Sequence, residues 1–378
     1  MMSGKPKILI IENSVDVTGA LKAILLMTSD LQENFEIQFA IPENSKGRSL
    51  IESQGFNHVY EFPMKELSKN PSAIIRYVPY LLLNAYRLSR FVKKNRISLI
   101  HVNDIYNLLP AVINLLGKKT PYVCHIRFMP DRFPQWLFNF WFKVHLRYSN
   151  QIIAVSKSVS RQLPRCEKIV TIYDGLPKTE RYDEQTQNQG KDDHTFLYLA
   201  NFIEGKGQNF AIEAFAKIHQ KLPNWKLRLV GGDLGLNKNM RYRGLLEEKA
   251  KALGIYDKTE WVGFTNDVEA EYKQAGIVLN FSQSESFSMT CLETLFFGRP
   301  LIATNCGGPS EILEGGQIGV LVPMGDIRAM ANAMEKLGKD PDERSSIGRR
   351  ARSVVRQKFS KENTSMQLAA LYKKILNQ

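Results

Sequence analysis

Short apolar runs alternate with longer amphipathic stretches along most of the 378-residue chain. Apolar runs bounded by polar or turn residues indicate buried parallel strands, and the helical periodicity between them indicates βαβ units. The predicted strands of the first half are Ile8–Ile11, Glu36–Ile41, Leu99–Val102, Tyr122–His125, Gln151–Ala154 and Lys168–Ile172. Those of the second half are Phe196–Leu199, Lys226–Val230, Thr259–Val262, Ile277–Asn280, Pro300–Ala303 and Val320–Val322. We therefore predict an α/β fold with two doubly wound, Rossmann-like domains.

The same pattern predicts the helices and the domain boundary. Helical stretches of the first half include Gly19–Leu26, Ile74–Lys94 and Gln135–Leu146, and the chain ends with helices at about 341–357 and 361–376. A polar stretch without apolar periodicity precedes the second set of strands, as is typical of a linker. We place that linker at 181–194, between an N-terminal domain at 1–180 and a C-terminal domain at 195–360.

Positive charge is concentrated in the first domain. The chain has 51 Lys and Arg against 38 Asp and Glu, a net charge of +13. Region 65–165 holds 17 of the basic residues and three acidic ones, interleaved with aromatic residues. Such a surface can meet anionic lipid headgroups or nucleic acid, the alternative being a solvated surface over core-facing aromatics. We expect no nucleic-acid partner, because no helix-turn-helix, zinc-finger, KH or RNP pattern accompanies the charge.

Cysteine spacing and the lengths of apolar runs indicate the cellular compartment in which the protein is expected. Cys124, Cys166, Cys291 and Cys306 stand far apart, which argues against a disulfide framework and against a zinc cluster. No uncharged apolar run is long enough to span a bilayer, and the first apolar run is too short for a signal peptide. We expect a cytoplasmic protein, with a peripheral position on the inner membrane face as the further expectation. The Asp340-Pro341-Asp342 segment is predicted to cap a helix, and no metal is expected.

The segment from Ser284 to Ile312 carries the most chemical information. Glu285 and Glu293 stand eight residues apart, with a helix-forming stretch around the second. This spacing puts Glu285 in the turn before a helix and Glu293 in its second turn. Unpaired N–H groups at the start of that helix would form an anion site for a phosphate. The Glu293 carboxylate can accept two ribose hydroxyls, the alternative being a favourable interaction with the helix dipole alone.

Glu285 and Glu293, followed by Gly298-Arg299-Pro300 and Gly307-Gly308-Pro309-Ser310-Glu311, resemble the Glu-x7-Glu region of family-four retaining glycosyltransferases of the GT-B fold. The similarity spans nearly the whole chain. It implies two domains that face each other across a cleft, with the helix at 361–378 packed on the first domain. It also implies Glu285 beside the donor sugar and Glu293 on the ribose. The backbone that would hold the diphosphate and sugar is that of Phe287, Ser288, Met289 and Thr290.

The resemblance is weaker at the residues that would bind phosphate. Residues 201–215 resemble an Arg-x4-Lys-Gly element in which Lys206 is retained and Asn201 replaces the arginine. Lys206 is expected to neutralise the leaving diphosphate, and Asn201 to hydrogen bond without charge. Arg127, two residues after His125, is the candidate for a second cation, and the alternative is a surface arginine of the basic region.

Other motifs extend the implied site. His125 resembles a family histidine that contacts the donor sugar, and His101 is the less favoured second histidine. Gly19 takes the place of a glycine-rich turn against the donor phosphate or sugar. Residues 261–272 resemble the segment whose backbone meets the nucleobase, although helix capping by Asn266 or Asp267 explains them nearly as well. The family usually has Asn-Gly where this chain has Asp174-Gly175.

The resemblance implies a retaining glycosyltransferase that moves a sugar from a nucleotide-diphosphate donor to a hydroxyl of a glycan or lipid-linked acceptor. Bacterial polysaccharide or glycolipid biosynthesis is the expected setting, with the acceptor on the first domain. His125, Glu285 and Lys206 are the candidate catalytic residues, and no cofactor is expected. Alternatives are a nucleotide-sugar epimerase or a glycosyl phosphorylase on the same fold and, more distantly, a basic nucleic-acid-binding protein.

Overall fold

The computed structural model describes residues 4–64, 71–117, 119–176 and 194–377, with 71–77 described as backbone only. The chain divides into two compact units. The first comprises Met1–Pro177 together with Phe359–Gln378, and the second comprises Lys178–Lys358. The predicted linker at 181–194 lies outside the described residues except for His194.

The first unit is built on a parallel sheet of seven strands in the order β3-β2-β1-β4-β5-β6-β7. The strands are β1 (Lys7–Ile11), β2 (Glu36–Pro42), β3 (Val59–Phe62), β4 (Leu99–Val102), β5 (Tyr122–Ile126), β6 (Gln151–Ala154) and β7 (Ile169–Thr171). The helices are α1 (Gly19–Ser29), α2 (Gly47–Ser53), α3 (Pro71–Asn95), α4 (Leu109–Leu115), α5 (Gln135–Tyr148), α6 (Lys157–Ser160) and the C-terminal α14 (Lys361–Leu376). Strand order reverses between β1 and β4, which is the switch point where open α/β sheets bind ligands.

The second unit repeats this arrangement with six parallel strands in the order β10-β9-β8-β11-β12-β13. The strands are β8 (Thr195–Leu199), β9 (Lys226–Val230), β10 (Thr259–Val262), β11 (Ile277–Asn280), β12 (Leu301–Thr304) and β13 (Val320–Val322). The helices are α7 (Gln208–Ala216), α8 (Asn237–Ala252), α9 (Val268–Gln274), α10 (Met289–Phe296), α11 (Gly308–Ile312), α12 (Ile327–Lys339) and α13 (Pro341–Lys358). Here the switch point lies between β8 and β11.

Each unit has its own apolar core. In the first, Ile8 and Ile10 of β1 pack with α1, and α14 closes the same core with Leu368 and Tyr372. The Tyr372 ring meets Phe35 edge to face, with ring centroids 5.6 Å apart. In the second, residues of β8, β9 and β11 pack under α7 and α12. The central strands of both sheets, such as β1 and β11, are nearly continuous apolar runs because parallel strands are covered on both faces.

The predicted strands are confirmed, and one more is present. β3 has no counterpart in the prediction because it is short, lies at the sheet edge and has partly exposed Tyr60 and exposed Glu61 between the buried Val59 and Phe62. Asp340 caps α13, as expected, with its Oδ1 accepting a hydrogen bond of 2.8 Å from the backbone N–H of Glu343. Among the described residues, no helix is long and apolar enough to cross a membrane.

Candidate donor-binding site

The loop that carries Glu285 is fixed at the carboxyl end of β11. The Glu285 backbone N–H donates to the carbonyl of Cys306 at 3.1 Å, and its carbonyl accepts from Gly308 N–H at 2.8 Å. A Cβ on Gly308 would lie 2.3 Å from the Phe287 Cα, well inside contact distance. Glycine at 308 is therefore a packing requirement, since only a residue without a side chain lets the loop at 285–288 approach so closely.

Ser288 starts α10 from a left-handed conformation, with φ 84°. Its Oγ accepts a hydrogen bond from Asn280 Nδ2 at 3.2 Å and caps the helix through Cys291 N–H at 3.5 Å. A left-handed serine is strained, and such strain persists where surrounding contacts fix the backbone. The N–H groups of Met289 and Thr290 stand in the first turn, where a helix offers no carbonyl partner. The start of α10 is therefore a suitable anion site.

Lys206 meets Glu285 at the switch point of the second unit. The Lys206 Nζ lies 2.8 Å from Glu285 Oε1, and both side chains are partly buried. The turn that carries Lys206 is held between Gly205 and Gly207, with φ 91° and 84°. A Cβ on Gly207 would lie 2.1 Å from the Phe281 carbonyl oxygen, so this turn also needs glycine. The fold thus brings one cation and one carboxylate together from loops that follow β8 and β11.

Tyr198 of β8 fixes this turn through its buried hydroxyl. Its hydroxyl donates to the Lys206 carbonyl and accepts from Phe281 N–H at 2.8 Å. Burial raises the pKa of Tyr198 well above its usual value, so the hydroxyl stays protonated and can donate. Tyr198 was not singled out from the sequence, where it reads as one of several apolar positions in a strand.

Asn201, which replaces the arginine of the family pattern, makes hydrogen bonds within the second unit. Its Oδ1 accepts from Gly232 N–H at 3.1 Å, and its carbonyl accepts from Gln208 Nε2 at 2.9 Å. The side chain therefore ties the end of β8 to the end of β9. Phe264 lies close to Gly232, since a Cβ on Gly232 would be 3.2 Å from the Phe264 Cβ. The side chain of Phe264 is largely exposed.

Glu293 is oriented by a buried tyrosine. The Tyr272 hydroxyl donates to Glu293 Oε2 at 3.0 Å, and the Tyr272 ring stacks on Phe297 with centroids 5.0 Å apart. Burial and the neighbouring Glu293 raise the pKa of Tyr272 well above its usual value. Tyr272 ends the segment at 261–272 but was not assigned a role from the sequence. Asp267 caps α9 through Ala270 N–H at 3.0 Å, which confirms the cap, and the contact of that segment with a nucleobase stays a prediction.

The predicted residues of the first unit lie around the carboxyl ends of β1 and β5. Gly19 is the first residue of α1, which Thr18 caps through Leu21 N–H at 3.2 Å. A Cβ on Gly19 would meet nothing within 4 Å, so the fold itself does not require glycine there. His125 is fully buried, and within the described chain neither of its ring nitrogens has a hydrogen-bond partner. Burial lowers the pKa of His125 well below its usual value, which keeps the imidazole neutral.

Arg127 is buried, so the alternative of a surface arginine is wrong. Its Nη1 lies 2.7 Å from Asp174 Oδ1, and its Nε donates to Asn103 Oδ1. Asn103 in turn donates to the buried carboxylate of Glu12. Asp174, where the family usually has asparagine, is thus the charge partner of Arg127. The role of Arg127 as a second cation for the diphosphate stays a prediction, made for a guanidinium that is already paired within its unit.

Two family descriptions match the chain in succession. Glycosyltransferase Family 4 matches residues 39–179, and Glycosyl transferases group 1 matches residues 180–354. The chain belongs to the family-four glycosyltransferases of the GT-B fold. It is a glycosyltransferase, which confirms the family expected from the Glu285 and Glu293 region.

Individual relatives agree with this assignment. N-acetyl-alpha-D-glucosaminyl L-malate synthase of Bacillus anthracis is 24% identical over 328 residues, which cover 82% of this chain and 84% of that protein. D-inositol 3-phosphate glycosyltransferase of Corynebacterium urealyticum is 30% identical over 174 residues, covering 45% of this chain and 40% of that protein. The crystal structure of Anabaena Alr3699/HepE in complex with UDP has a TM-score of 0.81 at 20% identity, covering 97% of this chain and 100% of that one. This structural likeness shows the GT-B fold.

Proposed function

We propose that this glycosyltransferase takes a nucleotide-diphosphate sugar as donor and transfers the sugar, with retention of anomeric configuration, to a hydroxyl of a glycan or lipid-linked acceptor. Bacterial polysaccharide or glycolipid biosynthesis is the proposed setting. The observation that carries the proposal is the meeting of Lys206, Glu285 and the start of α10 at the switch point of the second unit. The HepE structure with UDP-glucose, from a chain 19% identical to this one, supports the choice of donor class.

Each group has a distinct task in this proposal. The diphosphate lies at the N-terminus of α10, where the Met289 and Thr290 N–H groups have no carbonyl partner in the helix, and Lys206 neutralises the charge that develops as it leaves. Glu285 exchanges its ion pair with Lys206 for contacts to the donor sugar. Glu293, held by Tyr272, accepts the ribose hydroxyls. Since Lys206 and the helix supply positive charge, we propose that the reaction needs no metal and persists in EDTA.

The anomeric configuration is retained because the acceptor oxygen attacks the anomeric carbon on the same face from which the diphosphate leaves. The bond between the anomeric carbon and the diphosphate oxygen breaks, and the acceptor oxygen bonds to that carbon on the same face. The acceptor hydroxyl proton passes to the departing phosphate oxygen, so no protein nucleophile is consumed. Positioning and charge stabilisation carry most of the rate enhancement.

The donor assignment is tested by thermal-shift screening against UDP, GDP and ADP sugars, since a ligand that binds the folded state stabilises it by mass action. We expect one nucleotide series to raise the melting temperature and calorimetry to show its binding weakened in Glu293→Ala. Lys206→Ala should lower the turnover number, whereas Lys217→Ala, an exposed lysine at the end of α7, should not. Equal nucleotide affinity in Glu293→Ala and the parent would overturn the ribose assignment.

We also propose that the first unit works against an anionic membrane surface. Exposed apolar residues follow a helical spacing on the outer faces of its helices, with Val78, Leu82 and Tyr86 on α3 at 50%, 54% and 55% exposure. On α5, Trp136 and Phe140 are 69% and 51% exposed. Exposed basic residues continue both stripes, Arg90 on α3 and Lys143 and Arg147 on α5. Apolar residues followed by Lys and Arg on one helix face are typical of interfacial helices.

Binding to vesicles tests this surface. We expect vesicles of phosphatidylglycerol and phosphatidylcholine to retain the protein at low salt, with loss of binding as salt rises. Replacing Trp136 and Phe140 together by alanine should reduce retention, whereas Leu245→Ala, an equally exposed leucine on α8 in the second unit, should not. Failure of the parent protein to sediment with anionic vesicles would contradict the membrane proposal and leave the donor assignment unaffected.

A further inference from the structure

Three buried polar side chains meet at the carboxyl end of the sheet in the first unit. Glu12, Asn103 and Arg127 are the residues that directly follow β1, β4 and β5, and their exposed fractions are 2%, 2% and 9%. Asp174, in the loop after β7, joins them through its ion pair with Arg127. Strand order reverses between β1 and β4, so this network lies at the switch point where an open α/β sheet binds ligands.

The Glu12 carboxylate fixes the start of the loop that connects β1 to α1. Its Oε1 accepts hydrogen bonds from the backbone N–H groups of Asn13 at 3.1 Å and Ser14 at 3.0 Å, and from the Ser14 hydroxyl at 2.8 Å. Its Oε2 accepts a hydrogen bond from Asn103 Nδ2. The same Nδ2 lies 3.4 Å from the Ala20 carbonyl oxygen, in the first turn of α1. Asn103 therefore holds both ends of this loop, one of them through Glu12.

The neighbours of Asn103 require an amide at this position. Its Oδ1 accepts a hydrogen bond from Arg127 Nε, and the Arg127 Nη1 is held by Asp174 Oδ1 at 2.7 Å. A guanidinium can only donate and an ionised carboxylate can only accept, so the residue between them must accept on one side and donate on the other. The asparagine amide does both. Aspartate would present a second carboxylate to Glu12, and leucine would make neither hydrogen bond.

We infer that Asn103 is a positioning residue for sugar transfer, which acts through Glu12 on the loop at 13–18. This loop follows β1 at the switch point, reaches the surface at Val17 and leads into the exposed Gly19, a predicted donor contact. The inference rests on the proposed function, because the loop has a task in transfer only if a donor sugar reaches it. A small displacement of groups that position a substrate lowers turnover strongly, whereas the nucleotide, held by the second unit in that proposal, should bind as before.

Two single substitutions each remove the match between donor and acceptor. In Asn103→Asp two carboxylates face each other, and in Glu12→Gln the one remaining oxygen can serve either the amide or the loop, but not both. The measured reaction is release of nucleoside diphosphate from UDP-glucose, UDP-N-acetylglucosamine or GDP-mannose, with water as acceptor. We expect the turnover number to fall about tenfold or more in each variant, with unchanged nucleotide affinity by calorimetry.

The double substitution of Glu12→Gln with Asn103→Asp should restore the hydrogen bond in the reversed direction. The glutamine amide nitrogen can donate to the introduced carboxylate, its oxygen still accepts from the loop, and Arg127 keeps an acceptor. The net charge of the network equals that of the parent. We expect the double variant to turn over at least about threefold faster than either single variant, as for residues of one network. Hydrogen exchange of the Asn13 and Ser14 amides should be faster in the single variants and slower again in the double variant.

A matched control lies in the same sheet. Gln38 Nε2 donates to Glu36 Oε1 at 2.6 Å at the amino end of β2, so Glu36→Gln alters a comparable amide–carboxylate contact and should leave turnover unchanged. Parent-like turnover in both single variants, or a double variant no better than the worse single variant in folding or in turnover, would overturn the inference. Release of no nucleotide by the parent would contradict the proposed function. In that case amide exchange still decides whether Asn103 fixes the loop, and parent-like exchange in Asn103→Asp would overturn the inference.

Discussion

At the scale of single residues, the two carboxylates of the motif are held by different partners. Glu285 is paired with Lys206, whose charge the proposed reaction uses, whereas Glu293 accepts from the buried hydroxyl of Tyr272. Because burial and the neighbouring Glu293 raise the pKa of Tyr272 well above its usual value, its hydroxyl is protonated at neutral pH and can donate. Tyr272 is therefore a positioning residue for the proposed ribose contact, and it acts through Glu293.

Replacing Tyr272 with phenylalanine should separate binding from chemistry. We expect Tyr272→Phe to weaken nucleotide affinity by about 3- to 10-fold, because the carboxylate loses one hydrogen bond that fixes its orientation. The turnover number should change little, since the ribose lies away from the reacting bond. The measurement is calorimetry with the nucleotide, together with KM and kcat for the donor sugar. Tyr256→Phe, three residues before β10 begins, serves as the control. Unchanged nucleotide affinity in Tyr272→Phe would contradict the positioning role.

The residue of the first unit that departs from the family pattern has a charge partner. Asp174 stands where asparagine is usual, and its carboxylate faces the guanidinium of Arg127. The structure brings them to 2.7 Å in a buried ion pair. Removing one member would leave an uncompensated buried charge, which costs far more than losing an exposed pair.

At the scale of elements, the donor site depends on how closely loops approach one another. The loop at 285–288 lies against the first residue of α11, and the turn at 205–207 lies against the end of β11. Both contacts are backbone to backbone, so neither neighbour can yield by a change of rotamer. Glycine at 207 and 308 is therefore a condition for the site's geometry.

Adding one methyl group at 308 tests this condition. A Cβ at 2.3 Å from the Phe287 Cα must displace the loop, so we expect Gly308→Ala to lower the free energy of unfolding by about 1–3 kcal/mol. Nucleotide affinity should fall as well, because the displaced loop carries Glu285 and the start of α10. The matched control is Gly244→Ala, where a Cβ would meet nothing within 4 Å inside α8.

The control should behave in the opposite sense. Alanine has the higher helix propensity, so Gly244→Ala is expected to raise the free energy of unfolding by about 1 kcal/mol and leave nucleotide binding unchanged. Urea unfolding measures the free energy of unfolding of both variants, and calorimetry measures their nucleotide affinity. A stable Gly308→Ala variant with parent-like affinity would show that the loop can move without consequence.

At the scale of the whole molecule, the two units repeat one plan with different chemistry. Each has a parallel sheet whose strand order reverses once, and each places polar groups at that reversal. In the second unit these groups are Glu285 and the cation Lys206, and in the first they include Glu12, which accepts a hydrogen bond from the amide of Asn103. Each reversal therefore places a carboxylate beside a donor, which is charged in the second unit and neutral in the first.

Buried histidines should make the first unit sensitive to acid. His101, His125 and His145 are fully buried. Burial lowers the pKa of His101 to about 3 and that of His145 to about 4, and it lowers the pKa of His125 well below its usual value. In the unfolded chain these groups titrate near about 6.5. Below that pH the unfolded state binds more protons than the folded one, so stability must fall as the pH drops toward about 4.

The expected loss is up to about 1.4 kcal/mol per pH unit for each histidine. Urea unfolding at pH 7 and pH 5 measures this loss of stability. Hydrogen exchange of the β4 and β5 amides shows whether the loss belongs to the first unit. His145→Gln should reduce the pH dependence, because it removes one of the three groups while glutamine can still donate to the Ile105 carbonyl that His145 Nε2 contacts at 2.8 Å. Equal stability at both pH values would contradict the prediction.

Local patterning by itself determined most of the architecture. Strands such as β1 and β5 are apolar throughout because both sheet faces are covered, so they can be recognised without knowing what they pack against. β3 was not predicted because two polar or partly exposed residues, Tyr60 and Glu61, interrupt a strand of only four residues. The family and the position of Glu285 and Glu293 on either side of a helix start were likewise legible in the sequence, since motif order and helix periodicity are local properties.

Only the tertiary structure decided which distant residues meet. Lys206 and Glu285 lie 79 residues apart, and Arg127 and Asp174 lie 47 apart, so neither pair leaves a periodic trace in the chain. Whether Arg127 is exposed and which tyrosine holds Glu293 depend on strand order and on approaches between loops. Those approaches are set by packing across the whole unit, because a hydrogen bond or ion pair forms only where the backbone brings both groups within about 3 Å.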